Sequence, residues 1–246
     1  MLEGMKKKAR RASVTKFAAA SGLHLLPEPE PGVMVSEAHA ATFRKIADKV
    51  SATDVPFSYG PLGPTEHQHV FKDNVLSGQW QGLPVTEADC SIIATRLVEV
   101  DRSPAPPVKY MDFGYKRFSA VVADLPAALP DLMIQRKTPG LDARPTLPYH
   151  IESGSLEFNR QFQVTTADTT FAAKLIDASM ITWLLSAHLV SAFMFKLYGH
   201  NLLLVWTGLL PRSRLGAIFD TAKGFTDHIP RQIWAEYGTR GPTLLG

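Results

Sequence analysis

Apolar residues recur at two spacings along this chain, and proline and glycine mark where one spacing gives way to the other. Residues 5–21 carry Val14, Phe17 and Ala18 three and four apart, the stripe of a helix laid on a surface. Gly22 stands where a left-handed C-terminal cap belongs. Pro27, Pro29 and Pro31 then impose an extended linker, because proline lacks an amide hydrogen and biases its predecessor away from the helix. Residues 36–50 predict a second helix: Ser36 is a suitable N-cap, Glu37 sits at the positive end of the dipole, and Phe43, Ile46, Ala47 and Val50 form the buried stripe. Glycine and proline fill four of the five positions 60–64 and end this segment in a loop.

The middle of the chain changes to the spacing of strands. Residues 75–80 and those from Leu83 onward flank Gln81-Gly82, a hairpin turn. Residues 90–100 are rich in β-branched side chains and predict a strand covered on both faces, and 101–107 is a proline-rich break. Residues 118–123 predict a strand ending at Asp124-Leu125-Pro126. Residues 132–135 make a shorter strand, and 138–148 is a loop with three prolines.

In the C-terminal third, residues 156–164 predict a strand that buries Phe158, Phe162 and Val164. Alternation then puts Arg160 on the buried side, where it would anchor an internal ion pair with a carboxylate. Asp168 is the expected N-cap of a helix running from Thr169 to about Ala187. Residues 193–198 and 201–207 read as a hairpin about Gly199-His200. Pro211 opens a last helix with Leu215, Ile218, Phe219, Ala222, Phe225 and Ile229 on one stripe, and Pro230 stops it. No βαβ rhythm is present. The fold class is α+β, a largely antiparallel sheet with N-terminal helices and a C-terminal helix–hairpin–helix, divided into an N-terminal helical segment with its linker (1–56) and a core domain (57–246).

The run Glu157-Phe158-Asn159-Arg160-Gln161-Phe162-Gln163-Val164, followed by Asp168, Ala172 and the Trp183-Leu184 pair, resembles a family of uncharacterised proteins of actinobacteria and their phages. That family pairs an FNR-x-F-x-V strand with a helix ending near Trp-Leu. Val75 to Gly82, and likewise Asn201 to Trp206, are similar to a second pattern in it, in which a strand turns at glycine, so the resemblance covers roughly residues 70–235. It implies a strand–helix–hairpin–helix order with no membrane span. It implies no activity, and it leaves the segment before Phe57 unsupported.

Composition narrows the possibilities. A chain of 246 residues that is 45% hydrophobic and 20% charged has the balance of a folded protein, not a disordered one. A formal charge of +3 is too small to indicate nucleic acid. It is unevenly placed, however: Lys6, Lys7, Lys8, Arg10 and Arg11 form a basic run that could meet nucleic acid or an anionic membrane. No aromatic residue is interleaved there to stack on bases. The apolar stretch after this run is too short and too broken for a signal peptide, which predicts a cytoplasmic protein. Residues 178–195 carry no formal charge and reach the length of a membrane span. His188, four Ser/Thr residues and the flanks Asp177 and Lys196 favour a helix followed by a buried strand, with no integral span.

Candidate chemistry is sparse. His67 and His69 would point to one side of an extended segment and could share a metal, with Glu66 or Asp73 completing the set. No H-E-x-x-H partner follows, and a polar loop with two exposed histidines is the preferred reading. Cys90, alone of its type, is a nucleophile only if a histidine meets it, and its apolar strand context favours packing. Neither a G-x-S-x-G turn nor a phosphate-binding glycine motif occurs. Glu152, Glu157 and Asp168 are as readily strand edges and a helix cap as an acid–base pair. Trp80, Trp183, Trp206 and Trp234 all lie among apolar neighbours and read as core. These features point to a non-enzymatic intracellular interaction or structural protein with an unidentified protein partner and no cofactor. The alternatives are a metal-dependent enzyme using His67 and His69, and a membrane-associated protein held by its basic N-terminus or by residues 178–195.

Overall fold

The computed structural model describes residues 2–27, 67–102, 105–137, 147–186 and 193–238. The expected helix at 36–50, the linker beyond Pro27, the loop at 60–64, most of the loop at 138–148 and the boundary between residues 56 and 57 lie outside them. The architecture is α+β. Helix α1 (Leu2–Ser21) precedes strands β1 (His24–Leu25), β2 (His67–Trp80), β3 (Leu83–Arg102), β4 (Ala105–Arg136) and β5 (Tyr149–Ile151). Then come α2 (Leu156–Gln161), β6 (Phe162–Thr166), α3 (Thr169–Leu175), α4 (Ala178–Ser186), β7 (Phe193–Thr207), a 3-10 turn at Arg212–Arg214, α5 (Leu215–Asp227) and α6 (Arg231–Gly238).

The seven strands form one antiparallel sheet. Ser119 of β4 is registered with Asp89 of β3 and with Trp206 of β7; Leu132 of β4 is registered with Thr166 of β6 and with Leu197 of β7. β4 therefore has β7 along one flank, and β3 and then β6 along the other. The β2–β3 hairpin turns where the sequence predicts it. Trp80 pairs with Leu83, and Gln81 and Gly82 both take positive φ (49° and 79°), as a tight right-twisting hairpin requires.

Where side chains are described, the centre of the sheet is buried on both faces, which is why Ala120–Ala123 reads as an unbroken apolar run. One face carries Val85, Val121, Ala123, Leu202 and Leu204 against the helices: Val14 and Ala18 of α1, Phe171 and Leu175 of α3, Met180 and Leu184 of α4, and the α5 stripe Leu215, Ile218, Phe219, Ala222 and Phe225. The other carries Ala88, Cys90, Phe118, Ala120, Val122, Leu203 and Val205. Trp80 stacks between α1 and α5, its ring 6.1 Å from Phe17 and 5.2 Å from Phe219, and its indole N–H donates to Asp220 Oδ1 at 2.9 Å.

Four local expectations are corrected. Residues 156–161 are helical, with strand only from Phe162: Ser155 accepts from the Phe158 amide as an N-cap, and Phe158 and Phe162, four apart, stack at 5.1 Å. The single helix expected over 169–187 is two. Asp168 caps the first as predicted, but Asp177 caps a second by accepting from the Met180 amide at 2.8 Å. The strand expected to end at Pro126 continues as β4 through register shifts between Asp124 and Leu132, where Pro126 and Pro130 need no ladder partner. The hairpin expected at Gly199 is one strand, β7. Gly199 (φ 53°) opposes Leu129 within those shifts and absorbs the bend without reversing the chain.

Candidate functional site: a buried carboxylate pair beneath the N-terminal helix

β3 alternates Val85, Glu87 and Asp89 onto the helix-covered face, so two carboxylates enter an apolar layer two residues apart. Asp89, 5% exposed, is fully provided for. Its Oδ1 accepts from Arg10 Nη2 at 2.6 Å and from Ser119 Oγ at 3.2 Å, and its Oδ2 accepts from Arg10 Nε at 2.9 Å and from Asn74 Nδ2 at 2.9 Å. The Arg10 contact is the planar two-pronged pairing that suits guanidinium to carboxylate.

The partners are placed by specific backbone features. Asn74 takes a left-handed conformation (φ 51°) at the register shift of β2, and that bulge turns its amide toward Asp89. Ser119 stands opposite Asp89 on β4, and its Oγ accepts from the Leu210 amide at 2.9 Å. The remaining Arg10 prong, Nη1, donates to the Leu210 carbonyl. One cluster thus ties α1, β2, β3, β4 and the segment after β7 together. Burial would lower the Arg10 pKa, but the hydrogen bond and charge of Asp89 leave it raised.

Glu87 is the exception. It is 0% exposed, and neither carboxyl oxygen has a hydrogen-bond partner among the described residues. Burial, reinforced by the Asp89 charge and opposed by Arg10, pushes its carboxyl well above the ordinary carboxylate range, which favours the neutral acid. Chemically the cluster is closed. Asp89 spends its lone pairs on internal donors, and Glu87 is fully buried.

Arg10, expected in a surface basic run, is turned inward with only 16% of its side chain exposed. Arg11 bonds Asn74 Oδ1 at 3.5 Å and the Leu26 carbonyl at 3.4 Å, and Lys8 is exposed. Lys6 and Lys7 lie in α1, and their side chains fall outside the description. His67 and His69 lie in β2 opposite Thr95 and Ile93; their side chains and that of Asp73 are likewise outside it, as is Glu66 altogether. Among the described residues no three His, Cys, Asp or Glu side chains converge on a metal position. Cys90 is buried on the opposite sheet face, its thiol 3.8 Å from the Ala88 carbonyl.

Arg160 corrects the expected internal ion pair. It finds a carboxylate, Glu157, but the pair is exposed on α2. Glu152 is exposed and Asp168 caps α3, so the three acids form no set. Trp80, Trp183, Trp206 and Trp234 are partly buried against the main core. The sequence signal for Glu87 and Asp89 is two acids spaced for one face of a largely apolar strand, a pattern that matches no catalytic or metal-binding motif.

No family model matches this chain, and no curated protein does. Among solved structures, the crystal structure of the mycobacterial trehalose monomycolate transport factor A, TtfA, matches with a TM-score of 0.53 at 11% identity. The match covers 89% of this chain and 96% of that one. At that identity the likeness establishes a shared fold.

Proposed function

We propose that this protein is a non-enzymatic binding factor, working through a protein partner in a transport process. The observation that carries the first half is the closed cluster: Arg10, Asn74, Asp89 and Ser119 spend their hydrogen bonds on one another, on Leu210 and, at Asn74 Oδ1, on Arg11. The second half is supported by the fold shared across nearly the whole length of a protein titled a transport factor.

The test is affinity purification of the full chain from its native cells after cross-linking, followed by reconstitution with the purified partner. Direct binding between the two purified proteins, and a cargo displaced in cells lacking this chain while its synthesis continues, is the expected result. Stoichiometric zinc that is lost in His67→Ala together with a catalytic turnover would overturn the proposal in favour of an enzyme.

A further inference from the structure

We propose that α1 is a pH-gated strap, seated on the sheet while the Glu87 carboxyl keeps its proton and released when that proton leaves. The geometry concentrates the effect on this one helix. β3 is held to β2 and β4 by backbone ladders that flank Glu87 on both sides, Leu76 on one and Val121 on the other. α1 is held to the sheet by side chains: Val14 and Ala18 in the cluster that includes Leu76, Val85 and Val121, Phe17 on Trp80, and the Arg10–Asp89 pair. Gly22 (φ 71°) ends the helix as a single left-handed joint.

The groups bearing on Glu87 are few. Asp89 lies on its own strand and Arg10 reaches in from α1; its cross-strand neighbours Leu76 and Val121 are apolar. Ionising Glu87 would place two carboxylates against one guanidinium, with no donor for either new anionic oxygen. An ion in that position must be hydrated or neutralised. Lifting α1 admits water and breaks no strand ladder. It also uncovers the apolar patch that Val14, Phe17 and Ala18 covered.

The sign follows from proton linkage. The closed form binds one proton more than the open form at every pH between the ordinary carboxylate range and the raised value in the closed state. Across that window opening becomes easier by about tenfold per pH unit, and above it the effect levels off.

The experiment is amide hydrogen exchange of the full chain in buffers from about pH 5 to about pH 9, corrected for the intrinsic pH dependence of exchange. Peptides of α1 should lose protection by about tenfold per unit through the window, while those of the β3, β4 and β7 centre keep theirs. Glu87→Gln, which cannot ionise, should make α1 protection independent of pH; the exposed Glu157→Gln should leave the wild-type profile unchanged. A flat α1 profile in the wild type, loss of protection by α1 and the sheet together, or an unchanged profile in Glu87→Gln would each overturn the strap. The wild-type measurement decides the matter even if Glu87→Gln fails to fold.

Discussion

Asp89 and Glu87 stand two residues apart on one strand face and meet opposite fates, and single substitutions should separate them. Asp89→Ala leaves Arg10 half-buried without its carboxylate and strips Asn74 and Ser119 of their acceptor, so it should cost about 3–5 kcal/mol, the usual penalty for breaking a buried pair from one side. Denaturant unfolding measures it. Glu87→Gln runs the other way. Because the Glu87 pKa is raised in the fold, wild-type stability falls as pH rises from the ordinary carboxylate range toward the folded value, and the glutamine does not follow. The variant should therefore gain melting temperature relative to wild type at mildly alkaline pH and lose that advantage toward pH 5. Gly224 supplies a third case. A Cβ there would sit 2.9 Å from Trp183 Cζ2 and 3.1 Å from its Nε1. Gly224→Ala should lose about 1–3 kcal/mol to crowding, outweighing the ~1 kcal/mol of helix propensity it gains. None of these roles was visible in residue type alone. Arg10 sits in a run of basic residues that reads as a solvated surface, and only the carboxylate brought beneath it by β3, 79 positions away, makes it internal.

Elements were legible where one spacing acted alone. α1 and α5 bury the stripes their sequences predict, and Gln81-Gly82 forms the turn its residue types favour, with positive φ at both positions. Elements were misread where two spacings fit the same letters. Phe158 and Phe162 are four apart, which suits one strand face and one helical turn equally, and the Ser155 cap tips the balance. In β4 and β7 the cues that usually end a strand, Pro126, Pro130 and Gly199, fall opposite one another across a shared bulge, so the two strands bend together. Such compensation between partners 70 residues apart cannot be read along one segment. The α5 stripe gives a direct test of the packing. Phe219 is fully buried and touches Phe17 and Trp80 in the α1–β2–α5 stack, so Phe219→Ala should cost about 3–5 kcal/mol and impair soluble expression. Trp206 is half-buried at the end of β7 with the Arg214 guanidinium 6.0 Å above its ring, so Trp206→Ala should cost distinctly less. Thermal melts of the two variants side by side would rank them.

At the scale of the whole molecule, the apolar segment 178–195 decides between a core and a membrane. Its first half is α4, nine residues, about 13 Å of helix at 1.5 Å per residue against the ~30 Å of hydrocarbon a span must cross. Its last residues enter β7, where Met194 and Phe195 are buried, and no helix among the described residues is long and apolar enough to cross. The helix is also two-sided: Met180 and Leu184 pack into the core, whereas Ala178, Ser179, Thr182 and Ser186 face outward. The described parts of the uncharged run are therefore a helix with a polar side, 178–186, and the start of a buried strand, 193–195, whose summed letters a window average cannot distinguish from a span. A charge on the outward face separates the two. Thr182 is exposed, and its hydroxyl only returns a hydrogen bond to the Ala178 carbonyl one turn back. Thr182→Lys should change stability by no more than about 0.5 kcal/mol and leave the chain, expressed alone, in the detergent-free supernatant after high-speed centrifugation. In a spanning segment the same lysine would lie within the hydrocarbon, about 7 Å from its centre at 1.5 Å per residue, and would oppose insertion at a cost of up to about 2.5–3.5 kcal/mol. Met180→Ala completes the comparison. It empties a fully buried site and should cost about 2–5 kcal/mol as a core residue, but close to nothing as one lipid-facing methionine among many. A tolerated Met180→Ala paired with a disruptive Thr182→Lys would place this segment in the bilayer instead of the core.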